Sequence, residues 1–442
     1  MRFLLDAVYL FAILALSPWL LCKAIRTGKY RSGLKDKLFG PSPCLLVSLS
    51  PCLGKTVWFH GVSVGEVHLL RQVIAAFRRR HPGRPCVVST TTDTGFAEAR
   101  RCFPDLTVIH FPFDFSWAVS RTLRAVRPAL VVLAESELWP NFLAAARRQV
   151  VPVAVVNGRM SPRTFARYRR LGPLARWLFG RLDLLAMQTE EYARAVRDLG
   201  VPAGRVHVTG SVKFDGTTAD RHNPRTEELR RLFGVTANDL VWVAGSTQAP
   251  EEEITLAIYR QAREERPNLR LFLVPRQKDR FDEVARLLER SGLPFVRRSA
   301  LPSSLRTPHS AFRIVLVDTI GELGALWGLA DVAFVGGSLD GKRGGQNMIE
   351  PAAYGAAVVF GPHVWNFRDV ATRLVQDGAA RQAGSANELG AVIRALLADA
   401  VERERLGSAA SAFVRRQQGA TERTLDLLDA LLALREEARP AA

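Results

Sequence analysis

At 442 residues, with 48% hydrophobic and 24% charged, the chain is too long for one ordinary core and too apolar for a disordered tail. Its 61 Lys and Arg against 43 Asp and Glu give +18, which calls for an anionic partner: nucleic acid, a membrane surface or a phosphorylated substrate. Its five cysteines have no C-x-x-C spacing, which excludes a disulfide framework and a cysteine zinc site and fits a reducing compartment.

Residues 7–22 (AVYLFAILALSPWLLC) are sixteen consecutive uncharged positions. That is short for a full span of about 20. Leu21-Cys22-Lys23 offers no signal-peptide cleavage site. Lys23, Arg26, Lys29, Arg31, Lys35 and Lys37 follow, so the positive-inside rule keeps the rest of the chain cytoplasmic. The stretch reads as a membrane anchor, spanning or interfacial. A buried first helix is the plainer alternative. Residues 41–54 (PSPCLLVSLSPCLG) read as a surface loop.

From residue 56 onward, apolar runs alternate with Arg/Leu/Ala-rich helical stretches. The runs are 56–60, 85–91, 106–112, 129–136, 151–158, 184–189 and 206–210. After a polar linker over 215–228, the pattern restarts at 240–246, 269–275, 312–318, 332–337 and 357–361. Buried strands alternating with helices predict two parallel, doubly wound sheets. The active site is then expected in a cleft between them, at the carboxyl ends of the strands. The predicted division is an anchor over 1–25, one domain over 26–222 and a second over 223–442. The second domain includes closing helices over 401–437.

Several familiar sites are excluded. Gly54-Lys55-Thr56 would need a glycine at Leu49 to be a P-loop. No G-x-G-x-x-G follows a strand, and no D-x-D is present to hold a metal on a diphosphate. The eight histidines lack metal-ligand spacing, and no nucleic-acid reading module occurs.

What remains gathers at strand ends. His60-Gly-Val-Ser-Val-Gly65-Glu66 turns from a strand into a helix and presents Glu66 as a candidate base. A helix-start acid favoured by the dipole reads equally well. Glu135 and Glu137 flank a very apolar strand end, where a carboxylate is costly unless paired or functional. Lys213 stands at the boundary between the halves. In the second half, Arg276 after Pro275 suits a phosphate fork. Gly336 to Leu339, then Gly344 to Pro351, read as a glycine-rich phosphate loop entering a helix, with Glu350 placed for ribose hydroxyls.

In order and spacing these pieces resemble the 3-deoxy-D-manno-octulosonic acid (Kdo) transferases of Gram-negative lipopolysaccharide synthesis. The likeness runs from the N-terminus to about residue 430. It includes HGVSVGE (60–66), TTTDTGFAEAR (90–100), ESELWPN (135–141), VNGRMSPRTFARY (156–168), GSVKFD (210–215), VPRQKDRF (274–281), DTIGEL (318–323), GGSLDGKRGGQNMIEPA (336–352) and GPHVWNF (361–367). The resemblance implies a GT-B fold, two Rossmann-like domains facing a cleft. It implies inverting, metal-independent transfer from CMP-Kdo to lipid IVA at the cytoplasmic face of the inner membrane. It implies no cofactor and no nucleic acid. On the family pattern Glu66 is the base, and Glu135 and Lys213 stabilise the transition state. Pro275, Arg276, Ile320, Gly321, Glu322, Asn347, Met348, Ile349 and Glu350 hold CMP. Where many members carry histidine, this chain has Gln248, Gln277 and Gln346, which hydrogen-bond but do not titrate. A transferase for another CMP-activated acidic sugar or acceptor, and a catalytically silent nucleotide-binding relative, are the alternatives.

Overall fold

The first seven strands are short apolar runs, and all but the edge strand β7 are buried on both faces, as a parallel strand between two helical layers must be. They are β1 (Val57–His60), β2 (Cys86–Thr90), β3 (Thr107–His110), β4 (Leu130–Ala134), β5 (Val153–Gly158), β6 (Leu184–Met187) and β7 (Val206–Val208). They pair in parallel in the order β3-β2-β1-β4-β5-β6-β7. The second set is β8 (Leu240–Thr247), β9 (Leu269–Pro275), β10 (Phe295–Arg297), β11 (Ile314–Leu316), β12 (Val332–Val335), β13 (Ala357–Phe360) and β14 (Ala380–Gln382). Its order is β10-β11-β9-β8-β12-β13-β14, again all parallel. Two doubly wound, seven-stranded parallel sheets fit the GT-B fold. This computed structural model describes residues 5–11, 13–15, 17, 33–41, 55–135, 138–217, 220–301 and 312–437.

Strands β10 and β14 are additions to the sequence reading. Each is a three-residue sheet edge, half exposed and partly polar, so neither carries a buried apolar run. The expected linker also shortens, because Asn223 accepts from Arg225 N and Thr226 N and starts a helix at Pro224.

By contacts, the chain divides into one unit of 1–216 with 418–442 and another of 217–417. The sequence reading assigned all closing residues to the second domain. The final helix, Ala420–Glu437, instead packs on the helix Val64–Arg80 of the first unit. Leu425, Leu428 and Leu432 share a core with Val67, Leu70 and Val73. Arg80 meets Glu422, Asp426 and Asp429, while His81 meets Asp429 and Arg84 meets Glu436. These partners lie more than 300 residues apart in sequence, beyond the reach of any local pattern.

No helix among the described residues is long and apolar enough to cross a membrane. Residues 5–11, 13–15 and 17 are helical. Asp6 is buried and accepts from Ser116 N at 2.8 Å and Asn141 Nδ2 at 3.0 Å. Tyr9 Oη donates to Asp114 Oδ2 at 3.0 Å. Val8, Phe11 and Leu14 remain exposed. The rest of the expected anchor, residues 23–32 of the basic stretch and residues 42–54 of the expected loop lie outside the described residues.

Candidate active site

Each sheet reverses its winding beside its first strand, between β1 and β4 in the first unit and between β8 and β12 in the second. In such sheets the ligand crevice lies at the carboxyl ends of the strands at that reversal. The sequence-predicted residues fall on those two edges.

In the first unit, β1 ends in His60, whose buried ring stacks on Phe111 at 3.8 Å. Its Nδ1 lies 3.1 Å from Ser89 O and 2.9 Å from Ser89 Oγ. A carbonyl only accepts, so Nδ1 carries the proton. Burial lowers the His60 pKa to about 3, so the ring is neutral. Gly61 then lets the first turn of the next helix close on the strand, because a Cβ there would sit 3.0 Å from Glu66 Cβ. That helix, α1 (Val64–Arg80), is capped by Ser63, whose Oγ accepts from Glu66 N. Glu66 reaches back: Oε2 accepts from Val62 N at 2.6 Å and Oε1 from Ser63 Oγ at 3.2 Å. This is a variant of the Ser-x-x-Glu start in which the backbone donor is Val62 N, one residue before the cap. These bonds show the helix-start reading of Glu66, a capping acid held at the end of the first strand.

Glu135 follows β4, the neighbour of β1, with a left-handed φ of 60°. Its N–H still bonds Val156 O at 2.9 Å, so the ladder reaches the residue that carries the left-handed φ. Lys213 comes after β7, at the far edge of the sheet, yet its Nζ lies 3.8 Å from Glu135 Oε1. The chain is drawn back by Asn157 at the end of β5, whose Oδ1 accepts from Val212 N at 3.2 Å. Asn157 is fully buried, with φ 54°. Sequence reasoning did not single it out; its signal was an Asn-Gly pair closing an apolar strand. Glu137 lies outside the described residues.

In the second unit, Pro275 ends β9 and Arg276 is exposed just after it. Arg276 Nε donates to Gln346 Oε1 at 3.2 Å. Ile320 and Gly321 form an exposed turn, with Gly321 at φ 91°. The Glu322 carboxylate is committed elsewhere, to Arg298 at 3.0 Å, to Arg225 at 2.9 Å and to the Thr319 hydroxyl. Met348 and Ile349 are fully buried. Asn347 Nδ2 donates to Glu350 Oε1 at 2.8 Å, and burial raises the Glu350 pKa against that bond.

The glycine-rich stretch differs from the phosphate cradle expected for it. Helix α2 (Glu251–Glu265) opens with Glu251, which is 1% exposed. Its carboxylate accepts from Gln248 N at 3.0 Å, Gly337 N at 2.7 Å, Ser338 N at 2.9 Å and Leu339 N at 3.1 Å. An internal anion therefore fills that nest, and the loop is a structural tie between the ends of β8 and β12. Ile349 N is likewise taken, by Asn347 Oδ1 at 3.1 Å. Glu251 went unrecognised because three consecutive acids at a helix start look like ordinary dipole complementation.

Residues 27–216 match the family described as 3-Deoxy-D-manno-octulosonic-acid transferase (kdotransferase). The 3-deoxy-D-manno-octulosonic acid transferase of Haemophilus influenzae is 32% identical over 429 residues, 95% of this chain and 97% of that protein. The one from Bordetella pertussis is 34% identical over 443 residues, 96% and 98% of the two chains. Among solved structures, a UDP-GlcNAc 2-epimerase from Neisseria meningitidis bound to UDP-GlcNAc superposes with a TM-score of 0.58 at 11% identity, over 84% of this chain and 99% of that one. That likeness carries the fold alone, and with the sheet topology it establishes GT-B.

Proposed function

This chain belongs to the 3-deoxy-D-manno-octulosonic acid (Kdo) transferase family, and we propose that it moves Kdo from CMP-Kdo to lipid IVA with inversion and without a metal. Membership makes it a glycosyltransferase of lipopolysaccharide synthesis. The observation that carries the finer reading is identity to Kdo transferases along nearly the whole chain, together with Glu66, Glu135 and Lys213 at strand ends of one sheet.

In this reading Glu66 takes the proton of the acceptor hydroxyl as the new C–O bond forms at the anomeric carbon. The hydrogen bonds from Val62 N and Ser63 Oγ aim its carboxylate. The bond to CMP breaks on the opposite face, and the electron pair leaves on the phosphate. Lys213 beside Glu135 meets the charge that develops. Arg276 faces the departing phosphate, and the exposed turn at Ile320 and Gly321 with Glu322, and the stretch from Asn347 through Met348 and Ile349 to Glu350, receive the nucleoside. The absence of D-x-D in the sequence supports placing that role on arginine.

The same reading places the protein on the cytoplasmic face of the inner membrane, resting in the interface. The support is the +18 charge and the exposed Val8, Phe11 and Leu14 of the first helix.

The test is transfer from CMP-Kdo to lipid IVA in detergent with a chelator present, read by mass spectrometry of the lipid. A product heavier by one or more Kdo units is expected, and the count gives the number added. No product from folded protein overturns the donor–acceptor assignment. A product that appears only without chelator overturns metal independence.

A further inference from the structure

Among the described residues, His68, Glu98 and Cys102 bring three different donor types together outside the candidate active site. His68 lies on α1, which packs against the helix Asp93–Cys102. Glu98 and Cys102 stand four apart on that second helix, so they share one face of it. Glu98 Oε1 is the meeting point. It lies 3.1 Å from His68 Nε2 and accepts from Cys102 Sγ at 3.4 Å. The three donor atoms all lie within 4.8 Å of one another. In a tetrahedral zinc site, with bonds of about 2.0–2.3 Å, neighbouring donors stand about 3.3–3.6 Å apart. Two edges are already close to that length, and a small turn of the half-exposed His68 ring closes the third. His68 also borders an open cavity of about 740 Å³, which gives an ion a way in.

Arg101 supports the arrangement from outside. It donates from Nε to Glu98 Oε2 at 3.0 Å and from Nη2 to Oε1 at 2.5 Å. The first bond orients the carboxylate, as outer partners of metal ligands do. The second is made by an exposed side chain and can be given up to an ion on Oε1. An imidazole, a thiol and one carboxylate suit zinc, whereas magnesium and calcium require oxygen donors throughout. No motif announces the set, because its donors come from two helices. We propose that His68, Glu98 and Cys102 bind a zinc ion, with water as the fourth ligand, and so clip α1 to the helix Asp93–Cys102. The Cys102 thiol releases its proton to solvent as the Zn–S bond forms, and thiolate and carboxylate together balance the charge of the ion. Glu66, two residues before His68, leaves α1 from another face, so the ion lies outside the proposed transfer chemistry.

The experiment is calorimetric titration of zinc chloride into the reduced, metal-stripped full chain, with cobalt(II) chloride as a spectroscopic probe. One zinc per chain is expected, and magnesium should not bind in its place. Cobalt should give thiolate-to-metal charge-transfer absorption. His68→Ala and Cys102→Ser should each weaken zinc binding about tenfold or more, and Cys102→Ser should remove the cobalt absorption. Zinc should raise the melting temperature of the wild type more than that of either variant, because the assembled site exists only in the folded chain. If either variant does not fold, Glu98→Gln is read in the same way. Folded wild type that binds no zinc overturns the site, as does a cobalt complex without thiolate absorption. Zinc affinity unchanged in the variants, or cobalt–thiolate absorption that persists in Cys102→Ser, assigns the ion to other residues and overturns it too.

Discussion

Glu66 is asked to do two things, and its hydrogen bonds make them separable. As the third residue of α1 it accepts from Val62 N and Ser63 Oγ on different oxygens, and glutamine can replace it there with little loss because its carbonyl accepts from Val62 N and its NH₂ donates to the Ser63 hydroxyl. As a base it has no amide substitute. Glu66→Gln should therefore lower the transfer rate by about 10²–10⁴ while CMP binding and melting temperature stay close to wild type. A rate within threefold of wild type would return Glu66 to capping alone. Its position was legible from the strand–glycine–helix pattern. Asn157 was not, because its hydrogen bond to Val212 N spans 55 residues. Asn157→Ala should leave Lys213 in place chemically but free its turn. Activity is expected to fall about tenfold or more through misplacement of the ammonium. A fall in nucleotide affinity instead would argue against this, since Asn157 and Lys213 lie in the other unit from Arg276.

At the scale of elements, α2 is held to the ends of β8 and β12 by a single carboxylate. Glu251→Gln puts an NH₂ where two backbone N–H groups point, so it should cost about 2 kcal/mol or more and weaken CMP binding with it. Thermal unfolding and CMP titration on the same protein check both. The seat of the N-terminal helix offers a pH test. Burial raises the Asp114 pKa to about 6 from an ordinary 3.8, against bonds from Asn141 N, Phe142 N and Tyr9 Oη. Between those values the folded chain holds a proton that the unfolded chain has lost. The contribution of Asp114 to stability is thus full below about pH 4 and declines as pH rises to about 6. The stability of the wild type relative to Asp114→Asn should fall across that window, measured by denaturant unfolding. A flat difference would show that Asp114 is not held protonated.

For the whole molecule, the excess of positive charge and the apolar side chains left outside on the first helix point to the same surface. Vesicles containing anionic lipid should retain the protein, and sodium chloride should weaken that retention. A Phe11→Glu, Leu14→Glu double variant should lose roughly tenfold or more in vesicle partitioning with no loss of fold, since both side chains are exposed. Retention that ignores both salt and the double variant would refute an interfacial seat.

The chain by itself determined its class and family. Buried strands announce themselves as apolar runs of the right length, and a collinear set of motifs is specific where each one is weak. Glu66, Glu135, Lys213 and Arg276 were visible because chemistry at strand ends interrupts those runs. The tertiary structure alone decided which of these groups meet and which are spent. It folded Lys213 back to Glu135, filled the glycine nest with Glu251 and joined the last helix to the first unit. The reason is physical. Runs and caps are local, with partners a few residues away, whereas hydrogen bonds and ion pairs that cross strand ends depend on sheet order, which no local spacing encodes.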